Sequence, residues 1–235
     1  KLIHFVKPML AKQTDKPFDS DEWLFEIKWD GYRAITEKKN NEILSYSRNG
    51  LDFKNTYPIV ADQLKAIEAD AVLDGEIVVL EEEGKPDFQL LQHYSENQDR
   101  PIQYYIFDLL ELNGTDTTQL PLTDRKELLQ KIIPHNEVIK YSDHILKKGK
   151  EFFNVSKKKG LEGIMAKKAD SKYFPGRRTS DWLKIKHHKT EEAIIAGYTE
   201  PSGARKYFGA LILAAKDKDK FKYIGHTGTG FNQDS

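Results

Sequence analysis

The chain contains no cysteine. Disulfides and thiolate zinc sites are therefore excluded. No run of apolar residues nears membrane-spanning length and no signal-peptide pattern is present, so no membrane partner is expected. The seven histidines fall at no metal-ligand spacing, and no metal is assigned to them. Net charge is absent too, because 37 basic residues balance 37 acidic ones. At first sight that balance speaks against a nucleic-acid partner. Internal repeats and low-complexity tracts are lacking. The first residue is Lys1 rather than methionine, which reads as a piece of a longer protein. A length of 235 residues allows one large domain, or one domain and a small second one.

Charge is plentiful but segregated. Residues 51–120 carry four basic and fifteen acidic side chains, whereas residues 145–190 carry fourteen basic and four acidic. A basic half on a neutral protein can still be an electrostatic footprint for a phosphate backbone. Within that half, Lys157, Lys158 and Lys159 read as a solvated helix end. Arg177, Arg178, Lys184, Lys186 and Lys189, gathered around Pro175-Gly176 and Trp182, read as contacts to phosphate.

The pattern along the chain is mixed α+β. Pro8 and Pro17 keep the first twenty residues extended. Residues 24–29 alternate as a strand, turn at Asp30-Gly31, and return over 32–37 and then 43–47. Val60, Leu64 and Ile67 predict an amphipathic helix over 56–68, and Leu128, Leu129, Ile132 and Ile133 predict one from a Thr123-Asp124 cap to Pro134. A further helix spans 150–159 and stops at Gly160. Strands are expected at the Asp74-Gly75-Glu76 and Phe107 segments, at 164–166 and at 182–185. After Thr190 three strand-like segments, 193–198, 210–214 and 221–225, suggest a small β-barrel.

Lys28 sits in Lys28-Trp29-Asp30-Gly31-Tyr32-Arg33, a Lys-x-Asp-Gly-x-Arg signature. A lysine amine can attack the α-phosphorus of a nucleotide and hold the monophosphate as a phosphoramidate. It does so only when neutral, so burial and nearby cations must favour the free amine. Gly31 would let the backbone pass close to the nucleotide, and Arg33 could fork onto ribose or phosphate oxygens. Glu76 and Glu162 lie on apolar segments, where an unpaired carboxylate is expensive, and are the candidate ligands for a divalent cation. Lys184 and Lys186 share one strand face, as do Glu26 and Lys28.

The motif series continues in order through Asp74-Gly75-Glu76, Tyr104-Tyr105-Ile106-Phe107-Asp108, Glu162-Gly163-Ile164-Met165-Ala166-Lys167 and Trp182-Leu183-Lys184-Ile185-Lys186. This series resembles the ATP-dependent DNA ligases. The phrases around Trp23-Leu24-Phe25-Glu26 and Lys7-Pro8-Met9-Leu10-Ala11 resemble the ligase module of bacterial multifunctional end-joining ligases in particular. The resemblance implies a nucleotidyltransferase domain of antiparallel, ATP-grasp-like sheets over 1–189 and the first part of an OB-fold over 190–235. It implies Lys28 as the residue carrying AMP. Glu26, Ile27, Arg33, Arg48, Glu76, Phe107, Lys167, Lys184 and Lys186 would surround ATP, with Phe107 stacking on adenine. Glu162 and Glu76 would hold Mg²⁺ or Mn²⁺.

The implied partners are nicked or broken double-stranded DNA, a Ku-type end-binding protein, and fused polymerase and phosphoesterase modules. The implied location is the cytoplasm of a bacterium, at the nucleoid. The lack of cysteine sets the chain apart from the NAD-dependent ligases, which carry a four-cysteine zinc module. The family's last motif, a basic Arg-x-Asp-Lys-like segment late in the barrel, is not found. That predicts poor self-adenylylation with retained sealing of a pre-adenylylated nick. An RNA ligase or an mRNA-capping nucleotidyltransferase shares the lysine motif, and a non-catalytic nucleic-acid clamp is the alternative outside enzymology.

Overall fold

Alternating strands on either side of Asp30-Gly31 set the pattern for the molecule. The structure is a computed structural model and describes residues 5–96, 98–187, 193–201, 208–217 and 220–228. It divides into two compact units, Lys1–His187 and His188–Ser235. The expected boundary at 189/190 and the candidate phosphate contact Lys189 lie outside the described residues.

The first unit runs β1 (Leu10–Gln13), β2 (Ser20–Ile27), β3 (Tyr32–Lys39), β4 (Glu42–Ser47), α1 (Pro58–Gln63), β5 (Ala71–Val79), α2 (Phe88–Gln92), β6 (Ile102–Leu112), β7 (Thr115–Asp116), α3 (Leu122–Ile132), β8 (Ile139–Tyr141), β9 (His144–Lys147), α4 (Gly149–Lys158), β10 (Gly163–Lys168) and β11 (Arg178–Lys186). These strands form two sheets. One has the order β1-β11-β10-β2-β9, the other β4-β3-β5-β6-β7 with β8 also on β6. The second unit carries β12 (Ile194–Tyr198), β13 (Leu211–Asp217) and β14 (Lys220–Thr227) as an antiparallel sheet in chain order.

Three cores hold the first unit. Ile77, Val79, Ile106 and Leu109 of the second sheet pack with Val60, Leu64 and Leu129 from the helical layer. Phe25, Ile164, Ala166 and Ile185 of the first sheet pack with Phe152 and Phe153 of α4. Met9, Ile35, Tyr46, Phe107, Tyr173 and Trp182 join the two sheets to each other. The site lies beside this third core.

Several local expectations change. The sheets are antiparallel except for β1 with β11 and β6 with β8. Neither exception joins strands that follow one another along the chain, so no hairpin dictates their direction. The segment read as one helix over 56–68 is a short α1 with Pro58 in its first turn, followed by a 3₁₀ turn at Leu64–Ala66. Val60, Leu64 and Ile67 are nevertheless all buried. In α3 the N-cap position belongs to Pro121 with no side-chain cap, and Thr123 and Asp124 fall inside the first turn. Asp124 there still favours the helix dipole.

Gly31 has a reason within the fold as well. A Cβ at that position would come within 2.0 Å of the Ile77 carbonyl oxygen. Close approach to β5 by itself demands the glycine.

Candidate functional site

The register of the first sheet assembles one row of polar side chains. Glu26 lies opposite Met165, which lies opposite Lys184, and Lys167 lies opposite Trp182. One step further along, the Lys28 amide donates to the Gly163 carbonyl at 3.1 Å, and Gly163 pairs with Lys186. Gly163 thus stands between two lysines and offers no side chain to separate them. Lys28 Nζ and Lys186 Nζ both reach the carboxylate of Glu162, the second at 2.7 Å. Burial raises the Glu162 carboxyl, but hydrogen bonds from Lys186 and Lys28 outweigh it and hold the group below the usual carboxylate range. Lys184 is held below lysine's usual range by desolvation and by the charges of Lys186, Lys28 and Arg178. The cations converge on one place, as a phosphate site requires.

Ile27 lies on the opposite row, paired with Ile164, so it brings backbone to the site.

The second sheet supplies Arg33, Asp74, Glu76 and Phe107. Arg33 lies opposite Glu76 in register. Its guanidinium nevertheless reaches Asp74, placing Nε and Nη2 each 2.5 Å from a carboxylate oxygen. Asp74 also accepts from the Tyr173 hydroxyl at 2.6 Å. The Arg33 fork is thus held by Asp74 rather than by the facing Glu76. Removing one partner of so buried a pair costs about 3–5 kcal/mol.

Glu76 sits half-buried without that fork. Desolvation pushes its carboxyl up to about 7, with Arg33 and Lys28 opposing and Asp74 and Glu162 adding to the rise. Asp30 is likewise raised, by burial and then by Glu162. Glu162, held ionised by its lysines, adds to the rise of Glu76. These two carboxylates could supply oxygen donors to a divalent cation, although no group of three or more His, Cys, Asp or Glu gathers among the described residues.

Phe107 is 7% exposed and packs edge-on against Trp182. Arg33 lies 4.7 Å and Lys167 4.1 Å from its ring centre. Beside it, Trp29 stacks on Tyr105 with ring centres 3.5 Å apart and donates to Ser142 Oγ.

Glu26 is not an exposed strand residue. It is 1% exposed, and its two oxygens accept from Lys126 at 2.6 Å and Lys167 at 2.7 Å. Burial alone would raise its carboxyl; Lys126 and Lys167 reverse that and hold it low. The carboxylate is thus tied from both sides by lysine. Lys126 belongs to no motif. Its signal is helical: it stands four residues after Leu122 and three before Leu129, on the buried stripe of α3.

Lys28, Glu26, Arg33, Arg48, Glu76, Phe107, Lys167 and Lys184 line a single cavity of 240 Å³, with Arg178 at its edge. An adjoining space of 700 Å³ shares Arg33, Arg48 and Glu76 and continues past Asn49 and Asp52. Arg48, Arg177 and Arg178 are exposed, and Arg178 also donates to the Ala11 carbonyl. Arg177 is not part of either lining. A further cavity of 640 Å³ among Glu37, Asp70 and Asp116 includes none of the residues singled out above.

Comparison with known proteins gives one family. The profile described as ATP dependent DNA ligase domain matches residues 8–186. The multifunctional non-homologous end joining protein LigD of Pseudomonas aeruginosa is 34% identical over 234 residues, which is 97% of this chain and 28% of that protein. The SPbeta prophage-derived DNA ligase-like protein LigB of Bacillus subtilis is 33% identical over 198 residues, 83% of this chain and 73% of that one. Among solved structures, a mycobacterial DNA ligase D complexed with ATP and MES has a TM-score of 0.72 at 32% identity, covering 98% of this chain and 75% of that one. The chain therefore spans under a third of the length of the LigD proteins it matches. The fold is accordingly the nucleotidyltransferase and OB-fold core of the DNA ligases, and the chain belongs to the ATP-dependent DNA ligase domain family.

Proposed function

We propose that Lys28 carries AMP between ATP and the 5′-phosphate of a DNA nick. The observation that supports this best is the meeting of Lys28, Glu162 and Lys186 at the edge of a cavity that also holds Phe107 and Lys167. The Lys28 amine attacks the α-phosphorus. A P–N bond forms, the P–O bond to pyrophosphate breaks, and Glu162, in contact with the ammonium beforehand, is placed to take its proton. Lys184 and Lys186 stabilise charge on the α-phosphate. The AMP then passes to the 5′-phosphate, and the adjoining 3′-hydroxyl displaces it.

Glu162 and Glu76 would hold Mg²⁺ or Mn²⁺, which neutralises charge on the moving phosphate. In this reading residues 1–189 are the adenylylation domain and 190–235 the start of the OB-fold. Arg48, Arg177 and Arg178 contact DNA phosphate. End joining, supported by the name of the LigD proteins, belongs to the same reading. So do a Ku-type partner, polymerase and phosphoesterase modules in the parent chain and work at a bacterial nucleoid, which that name does not carry. Among the described residues, no helix is long and apolar enough to cross a membrane. The test is transfer of label from α-labelled ATP to one lysine, followed by sealing of nicked DNA. Label from GTP instead would support a capping-type enzyme, and DNA binding without label a clamp.

Two further outcomes are expected. Phe107→Leu keeps a large apolar side chain in the inter-sheet core but removes the aromatic face. ATP affinity should fall by about 1–2 kcal/mol while Tm stays near wild type. Loss of Tm with unchanged ATP affinity would mark Phe107 as core alone.

The second concerns pH. A Glu76 carboxyl raised to about 7 is protonated below that value and must lose its proton to bind a cation. Mg²⁺ affinity, read by titration of the protein, should rise about tenfold per pH unit up to neutrality and level off above it. Fold stability runs the other way, because the raised carboxyl contributes most below its unfolded value and less as pH climbs through about 7. A flat pH dependence of Mg²⁺ affinity in the wild type would remove Glu76 from the metal site.

A further inference from the structure

The start of α3 buries two adjacent cations, Arg125 and Lys126, which are 0% and 1% exposed. They serve different sheets. Arg125 forks onto Asp108 with contacts of 2.7 and 2.9 Å, and Asp108 follows Phe107 on β6. Lys126 donates to Glu26 Oε1 at 2.6 Å and to the Ser142 carbonyl at 3.0 Å. Glu26 lies on β2, two residues before Lys28. One helical turn is thereby fastened both to the aromatic wall of the cavity and to the strand that delivers the nucleophile.

The charges in this cluster do not balance. Glu26 faces two ammonium groups, since Lys167 Nζ lies 2.7 Å from its Oε2. Lys167 is equally buried and sits 4.1 and 4.2 Å from the ring centres of Phe107 and Trp182. A surplus cation in a desolvated place is costly, and apolar side chains would fill the same space more cheaply. Glu26 and Lys167 line the cavity, whereas Lys126 stands behind them.

We propose that Lys126 is a positioning residue that sets the cavity's choice of purine by holding Glu26. This rests on the reading that the cavity takes ATP. With one direction on each carboxylate oxygen occupied by a lysine, Glu26 keeps its remaining acceptor directions fixed. Lys167 beside it is a fixed donor. The wall therefore presents acceptor and donor in a set order. Adenine presents an amino donor at C6 next to the N1 acceptor. Guanine presents a carbonyl acceptor there next to an N1–H donor, the reverse order. Attachment of the α-phosphate at Lys28 prevents the base from turning over to exchange them. Without Lys126, Glu26 is free to close on Lys167 as a bidentate pair, and the set order is lost.

The experiment measures label transfer to the full chain from α-labelled ATP and GTP, with KM and kcat separated, alongside thermal melting. Lys126→Met should lower the ATP-over-GTP preference about tenfold or more, chiefly through KM. Lys126→Arg, which keeps the charge, should hold the preference within about threefold of wild type. Adding Lys126→Met to Glu26→Gln should change preference no further than Glu26→Gln alone, because the effect passes through Glu26. Should the Met variant not fold, Lys126→Gln, polar but one bond shorter and uncharged, no longer holds Glu26 Oε1 and carries the same expected loss. Equal decline with both nucleotides, or an unchanged preference with a lower Tm, would make Lys126 purely structural and overturn the proposal. A wild-type chain that takes label from neither nucleotide would instead defeat the adenylylation reading itself.

Discussion

Lys28→Ala should take up no label from α-labelled ATP at any pH, and the loss should be complete rather than partial. In the proposed reaction Lys28 supplies the attacking amine, while Glu162, Lys184 and Lys186 around it orient or stabilise. Lys28→Arg sharpens the test. It retains a cation opposite Glu162, so ATP and DNA binding should persist, yet the guanidinium stays protonated and cannot attack phosphorus. Both variants should fold. The Lys28 side chain lines the cavity rather than a core, and Glu162 keeps Lys186 as a partner when Lys28 is replaced. Either variant should also still close a nick supplied already adenylylated, since that step does not use the amine. Persistent labelling of Lys28→Ala would move the covalent residue elsewhere.

What could be read from the sequence follows from how far each interaction reaches. Period two along a strand is local, and it correctly put Lys184 with Lys186 and Glu26 with Lys28 on shared faces. The neighbours of those faces are not local. Glu162 meets Lys28 only because β10 lies between β2 and β11, and the gap left by Gly163 lets two lysines reach one carboxylate.

Side-chain reach defeats even a known register. Arg33 faces Glu76 across β3 and β5 but spends its fork on the diagonal Asp74, where the Tyr173 hydroxyl adds a third donor. The segment around Leu10 looked merely extended, since nothing near it in the chain foretells a parallel pairing with β11. Lys126 was in principle legible. A lysine on the apolar stripe of a helix is either snorkelling or paired, and burial to 1% shows that it is paired.

Glu162→Gln should carry the second largest effect, a fall in metal-dependent turnover on the order of 10²-fold or more. The substitution keeps shape but turns one of the two acceptor oxygens into an N–H donor and removes the charge that answers Lys28 and Lys186. Before reaction those two ammonium groups neutralise the carboxylate. Once Lys28 becomes a phosphoramidate it is uncharged, and Glu162, after passing the proton it took to solvent, is left with Lys186 as its counter-charge. The carboxylate is then suited to a divalent cation at the stage when phosphate charge must be handled, whereas an amide is not.

The stability effect has a distinct pH signature. The Glu162 carboxyl is held below its usual range, so its contribution is present above the unfolded value and disappears as pH falls through the lowered one. Wild type and Glu162→Gln should therefore converge in Tm in acid, with wild type the more stable at neutral pH. Turnover measured across Mg²⁺ concentrations decides the metal role. If Glu162→Gln runs at near-normal rates at every concentration, Glu162 serves only as the resting partner of the two lysines.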